Sequence, residues 1–260
     1  MTLITSWLTL AFLVAVPAPA QAPRIFIAGD STAAQYGPDR YPQMGWGMVL
    51  ACNLEGGIAV ENRAAGGRST KSFIAEGRFD AIARDLAPGD TLLIQFGHND
   101  ETIAKPERYT PVPDFRINLL RFIAMARDKG AQPVLLTPVA IRRFDQGVML
   151  ESLADYANAT RAVARETATP LIDLNADSRA YFQMLGEGPS KGYFLHYGKE
   201  YGHPRWPDGI QDDVHFNETG ARAVASLVAW RLKGLNLPVS AHVRPLPPGN
   251  PATRGGPACS

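Results

Sequence analysis

Short apolar runs alternating with segments of helical period constrain this chain more than any other feature. Runs suited to buried strands fall at 25–28, 58–62, 91–96, 133–137 and 171–174. Among them, apolar residues recur at helical spacing over 72–86, 114–129, 153–167 and 217–232, with a shorter helical stretch at 44–54. Phe115, Leu119, Phe122, Ile123 and Ala126 mark one face of the helix at 114–129, and Gly130 stops it. Asn217 is placed to cap the last helix. Strand–helix alternation through 260 residues predicts a parallel sheet covered by helices on both faces. One stretch, 186–213, breaks the pattern. It is rich in Gly, Pro, Tyr and His and reads as a long irregular connection, of a kind usually tied to function.

The ends of the chain differ from its middle. Residues 1–23 carry no charged side chain, and an apolar run over 8–16 leads to Ala18-Pro19-Ala20. This reads as a secretory signal peptide cleaved near Ala20, so the protein is expected to be secreted or periplasmic. The run is too short to anchor a membrane. Residues 21–237 then form the domain, and the Pro- and Gly-rich tail at 238–260 is expected to be poorly ordered. Two cysteines, Cys52 and Cys259, either form one bridge that pins this tail or remain as a buried and a loose thiol. A net charge of +1 with 20% charged residues gives no reason to expect nucleic acid or a membrane as partner, and nothing indicates an oligomeric state.

Polar clusters follow the first three strands and precede the last helix. The first strand runs straight into Gly29-Asp30-Ser31-Thr32. A serine on a sharp turn at the carboxyl end of a strand is placed as an exposed nucleophile, although Asp-Ser-Thr is also an ordinary helix cap. Gly67 offers a backbone N–H in a loop of small residues, and Asn99 offers an amide that can donate to an oxyanion. Asp212 and His215 stand three apart, which lets one side chain orient the other in a tight turn; Asp213 is the competing acid. Asp212, Asp213 and His215 also read as metal ligands, but no second His pair at ligand spacing accompanies them, so no metal is expected. His98 is expected to brace its loop. His196 and His203 lie in the irregular stretch, where they meet ligand or solvent.

In order and placement, Gly29-Asp30-Ser31, Gly67, Gly97-His98-Asn99-Asp100 and Asp212-x-x-His215 resemble the four blocks of the SGNH (GDSL-type) hydrolases over residues 24–235. Gly-Asp-Ser-Thr, Gly-Arg-Ser-Thr before a helix and Phe-Gly-His-Asn-Asp are similar to the rhamnogalacturonan acetylesterases within that clan. Thr32 stands where the clan's general name implies Leu, a departure this subgroup shares. The resemblance implies a three-layer α/β/α sandwich of flavodoxin-like type around a five-stranded parallel sheet. It makes Ser31 the nucleophile, His215 its general base and later acid, and Asp212 the residue that orients the imidazole. The N–H groups of Ser31 and Gly67 and the side chain of Asn99 would form the oxyanion hole. No cofactor is implied. The chain order Ser, Asp, His is also that of α/β-hydrolases, but the Gly-x-Ser-x-Gly elbow of that fold is missing.

The partner implied is an acetylated polysaccharide or oligosaccharide, with pectic rhamnogalacturonan first. The rivals are another SGNH esterase (an acetyl-xylan esterase, lipase or thioesterase) and a noncatalytic glycan-binding module on the same fold. Tyr36, Trp46, Arg68, Tyr193, His196 and Trp206 suit sugar rings better than acyl chains, and Arg68, Trp46 and His196 are the chosen substrate-binding residues. A uronate backbone calls for cations: Arg68 first, then Lys191, Lys199 and Arg205. The alternative for Arg68 is to pair with a neighbouring acid and hold its loop.

Overall fold

The strand runs are apolar at successive positions because each strand is covered on both faces. The computed structural model describes residues 22–248 and 252–259, and the expected signal segment at 1–20 lies outside them. Strands β1 (Ile25–Gly29), β2 (Val60–Asn62), β3 (Thr91–Gln95) and β4 (Gln132–Leu136) lie in one sheet. A small hairpin, β5 (Phe144–Asp145) and β6 (Val148–Met149), precedes β7 (Leu171–Ile172), which completes that sheet. The order β2-β1-β3-β4-β7, parallel throughout, is the doubly wound, flavodoxin-like arrangement.

Alternation along each strand divides the core in two. Ile25, Ile27, Leu93, Val134 and Leu136 face one layer; Phe26, Ala28, Leu92, Ile94 and Leu135 face the other. The second layer is closed by α1 (Thr70–Ala75), α2 (Arg78–Asp85), α3 (Val112–Asp128) and α4 (Ala154–Glu166). The first is closed by α5 (Leu174–Leu185) and, after the single turn α6 (Glu187–Ser190), by α7 (Glu218–Lys233). Asn217 caps α7 as expected, its side chain accepting the Gly220 N–H.

Four expectations need correction. The helix expected over 72–86 is α1 and α2, broken where Gly77 takes a φ of +71°. The stretch 44–54 forms two 3₁₀ turns, Trp46–Met48 and Leu50–Asn53, instead of one helix. Within 186–213 a further strand pair is built: β8 (Phe194–Tyr197) runs antiparallel to β9 (Ile210–Phe216), and β9 carries the Asp-x-x-His block. The tail is packed, not loose. Val243 bridges Leu54, Arg244 N–H donates to the Asn53 carbonyl, and Cys52 and Cys259 are joined in a disulfide.

Candidate active site

Ser31 is the second residue beyond β1, on a turn closed by the Ala33 N–H to the Asp30 carbonyl. Gly29 lets the strand reach that turn: a Cβ there would stand 2.9 Å from the Gln95 backbone oxygen on β3. On β9 the strand bulges between Asp212 and Phe216, which pair with consecutive residues of β8. Asp212 Oδ1 accepts the N–H groups of Val214 (2.8 Å) and His215 (2.9 Å), which leaves Oδ2 facing the imidazole. His215 Nδ1 lies 2.7 Å from Asp212 Oδ2, and Nε2 lies 2.9 Å from Ser31 Oγ. A carboxylate can only accept, so the imidazole proton sits on Nδ1 and Nε2 is free to accept from the serine hydroxyl. Burial pushes the Asp212 carboxyl up, but His215 and the two backbone donors outweigh it and hold the group below the usual carboxylate range.

Three donors belong to the segments that follow β1, β2 and β3. The backbone N–H groups of Ser31 and Gly67 make no hydrogen bond among the described residues. Gly67 adopts a φ of +79°, which glycine alone reaches without strain, and it lines the same cleft as Ser31. Asn99 donates one amide hydrogen to the carbonyl of Arg68, the residue after Gly67, and keeps a second.

Beneath the turn lies a buried polar chain. Trp46 Nε1–H donates to Gln95 Oε1 (2.7 Å), and the Gln95 amide donates to Thr32 Oγ1 (3.0 Å). The Thr32 hydroxyl then donates to Asp30 Oδ1 (2.8 Å), while His98 Nδ1 donates to Asp30 Oδ2 (3.1 Å). Complete burial pushes the Asp30 carboxyl up, but His98 and the Thr32 donors hold it below the usual range, so the charge is kept. Hydrogen-bonded throughout except at His98 Nε2, which is buried with no partner among the described residues, the chain fixes the residues flanking Ser31.

The cleft around Ser31, Asp212 and His215 draws on three further segments. Tyr36, Arg40 and Gln43 come from the loop after β1, and Gly66 and Gly67 from the loop after β2. Leu195, Trp206 and Ile210 come from the β8–β9 hairpin and its connection. The Tyr36 hydroxyl donates to the Ser31 carbonyl (2.8 Å), tying the wall to the nucleophile turn.

Residues 27–223 match the family described as GDSL-like Lipase/Acylhydrolase. The chain belongs to this family. A rhamnogalacturonan acetylesterase of Bacillus subtilis (strain 168) is 43% identical over 221 residues, covering 85% of this chain and 94% of its own. A rhamnogalacturonan acetylesterase of Emericella nidulans is 43% identical over 226 residues, covering 79% of this chain and 83% of its own. Among solved structures, the Bacillus subtilis protein YXIM, 30% identical, superposes with a TM-score of 0.71 over 84% of this chain and 58% of that one. An acetylxylan esterase from Geobacillus stearothermophilus shares the fold, with a TM-score of 0.57 at 16% identity over 80% of this chain and 93% of that one.

In this GDSL-like chain the structure sorts the remaining expected residues. Asp212, not Asp213, meets His215. Asp213 points elsewhere, to Arg142 Nη1 and His196 Nε2, both at 2.7 Å. Trp46 is corrected from substrate contact to core: it is 0% exposed. His196 has both ring nitrogens engaged, by Asp213 and Gln211, and lies outside the cleft lining. Arg68 takes its alternative role, with Nε on Glu76 and Nη1 on the Gly66 carbonyl, and braces the glycine loop. Tyr193 is buried against Tyr181, whereas Tyr36 and Trp206 do reach the cleft. Sequence reasoning passed over Arg40 and Gln43; the signal available was their place in the loop just after the nucleophile block.

Proposed function

We propose that this chain is a secreted or periplasmic carbohydrate O-acetylesterase whose substrate is acetylated pectic rhamnogalacturonan. The observation that carries this reading is the hydrogen-bonded series Ser31–His215–Asp212 opening into a cleft with free N–H donors beside the serine. The 43% identity to rhamnogalacturonan acetylesterases supports the substrate, and the Cys52–Cys259 disulfide supports an oxidising compartment.

The geometry accounts for each step. Ser31 Oγ attacks the acetyl carbonyl carbon while its proton passes to His215 Nε2. The carbonyl oxygen becomes an oxyanion, met by the N–H groups of Ser31 and Gly67 and the Asn99 amide. Asp212, held ionised, stabilises the imidazolium that forms. As the C–O bond to the sugar breaks, His215 returns its proton to the departing hydroxyl oxygen, leaving an acetyl ester on Ser31. Water then attacks with His215 as base, and acetate leaves with Ser31 reprotonated. The Trp206 ring in the cleft wall suits contact with a sugar ring.

The test is acetate release from acetylated rhamnogalacturonan, acetyl-xylan and an aryl acetate, by wild type and Ser31→Ala. Wild type is expected to favour the pectic polymer, and Ser31→Ala to lose turnover on all three while staying folded. Residual Ser31→Ala activity within about tenfold of wild type removes the mechanism, because a nucleophile's loss typically costs far more. Faster wild-type turnover on acetyl-xylan moves the substrate to a neutral hemicellulose. A folded protein inactive even on the aryl acetate is a binding module.

A further inference from the structure

Among the described residues, Arg40 is the cation of the cleft that has no ion-pair or hydrogen-bond partner for its side chain. It lines the same cavity as Ser31 and His215. Its guanidinium lies over the Tyr36 ring, 5.6 Å from the centroid, and forms no ion pair or side-chain hydrogen bond among the described residues. The acid next to it in sequence is already committed, since Asp39 Oδ2 accepts from Arg205 Nη1 at 3.3 Å. The carboxylate within the cleft, Asp212, has both oxygens engaged at the β9 turn. Arg68, the cation favoured by sequence, is occupied by Glu76 and Gly66.

Both sequence neighbours of Arg40 contact the segment 203–205. On one side, the Asp39–Arg205 pair ties the loop to the segment carrying Trp206. On the other, His203 Nε2–H donates to the Tyr41 carbonyl at 2.8 Å and the Tyr41 hydroxyl donates to Glu218. The tautomer at His203 is set by its other nitrogen, which accepts the Arg205 N–H. A guanidinium held at its base, stacked on one ring and lacking a counterion presents its planar fork to whatever enters the cleft. Tyr36 links it to the reacting centre, because that phenol hydroxyl is bonded to the Ser31 carbonyl.

We propose that Arg40 is the specificity-determining residue for an anionic backbone, binding the carboxylate of a uronic acid residue in the chain whose acetyl group lies at Ser31. This rests on the acetylesterase reading above and deepens it. The assay measures acetate release from an O-acetylated rhamnogalacturonan oligosaccharide and from the same oligosaccharide with its carboxyls converted to methyl esters. The readout is the ratio of kcat/KM for the acid form to that for the methyl ester. Any effect of a variant common to both substrates cancels in that ratio. Wild type is expected to favour the acid form on the order of 10- to 100-fold, the range of one charge-assisted bidentate contact. Arg40→Gln should bring the ratio close to one, mainly through KM. Arg40→Lys, which keeps the charge and loses the fork, should fall between. Arg68→Gln should keep the wild-type ratio. Added salt should raise KM for the acid form in wild type and leave it flat in Arg40→Gln. A wild-type ratio retained by Arg40→Gln, or a wild-type ratio of one with acetate released from both forms, overturns the role of Arg40 and leaves the acetylesterase reading standing. No acetate from either oligosaccharide alongside turnover of an aryl acetate removes the pectic substrate, and the role of Arg40 with it.

Discussion

Asp100, at the end of the Gly97-His98-Asn99-Asp100 block, is predicted to weaken the fold as pH rises. It is 0% exposed, and its Oδ1 accepts both the N–H (2.9 Å) and the hydroxyl (2.6 Å) of Thr70. Its Oδ2 is buried with no partner among the described residues. Burial therefore pushes the carboxyl up to about 7 from an ordinary 3.8, against the pull of the two Thr70 donors and helped by the charge of Asp30. Below roughly pH 4 the acid is protonated in both folded and unfolded chains and has no effect on stability. Between that pH and about 7 the folded chain holds a proton that the unfolded chain has lost, so stability falls by about 1.4 kcal/mol per pH unit. Above 7 the penalty levels at about 4 kcal/mol. Asp100→Asn keeps an oxygen for Thr70 and removes the titration. Its stability advantage over wild type should therefore grow by about 2–3 kcal/mol between near pH 5 and near pH 8. For a domain of this size that is a widening of the Tm gap by roughly 5–10 °C. Thermal unfolding of both proteins across that range measures it. A gap that stays constant, or narrows as pH rises, would refute the reasoning, because the folded protein would then carry Asp100 ionised throughout.

Two further outcomes follow from the site and the tail. Asp212→Asn should lower turnover on an aryl acetate by about 10⁴-fold, since the imidazole loses its orienting charge. Asp213→Asn should cost far less in turnover and more in stability, because it releases the buried Arg142 and His196; the reverse ranking of rates would reassign the acid. The intact protein should be two hydrogens lighter by non-reducing mass spectrometry than after reduction, and Cys52→Ala with Cys259→Ala should lower stability by about 2–4 kcal/mol. Two free thiols in freshly exported protein would exclude the bridge.

Much of the fold and the centre of the site were legible because their requirements are local. A strand covered on both faces must be apolar throughout, and residues at its carboxyl end must turn; Gly29, Ser31, Gly67 and Asn99 all meet such conditions within a few residues. The Asp-x-x-His spacing favours Asp212 over Asp213 but leaves the direction of the two side chains open. Neighbours on a strand point opposite ways, and which of them faces the imidazole is decided by the bulge of β9 after Asp212. Trp46 was misread because an aromatic residue near a catalytic turn serves either as wall or as core, and only its buried partner Gln95 tells them apart. Arg40 was missed for the converse reason: its position depends on contacts of Asp39 and Tyr41 with Arg205 and His203, more than 160 residues away. Helix α5 did carry a signal in Asp173, whose side chain caps it, followed by Leu174, Tyr181 and Phe182 on one face.

The tail shows how a distant constraint can reach the cleft. Glu218 opens α7, three residues after His215, and its carboxylate is 1% exposed. A carboxylate in that position must find donors for both oxygens or lose its charge. Arg222, one turn on, and the Tyr41 hydroxyl provide some of them. The rest come from the tail, through the N–H groups of Arg254, Gly255 and Gly256. Burial pushes Glu218 up, but these donors together hold it below the usual range, so it stays ionised. Arg222 in turn donates to the carbonyls of Gly256 and Ala258, beside Cys259. Composition argued for a mobile tail because Pro and Gly contribute little to a core, yet here it is the backbone, not the side chains, that is needed. Glycine exposes its N–H fully to an incoming carboxylate, and the disulfide keeps that backbone within reach. Since Glu218 also holds Tyr41, and Tyr41 fixes the loop of Arg40, the Cys52–Cys259 bridge stands at one end of a continuous set of contacts whose other end is the cleft.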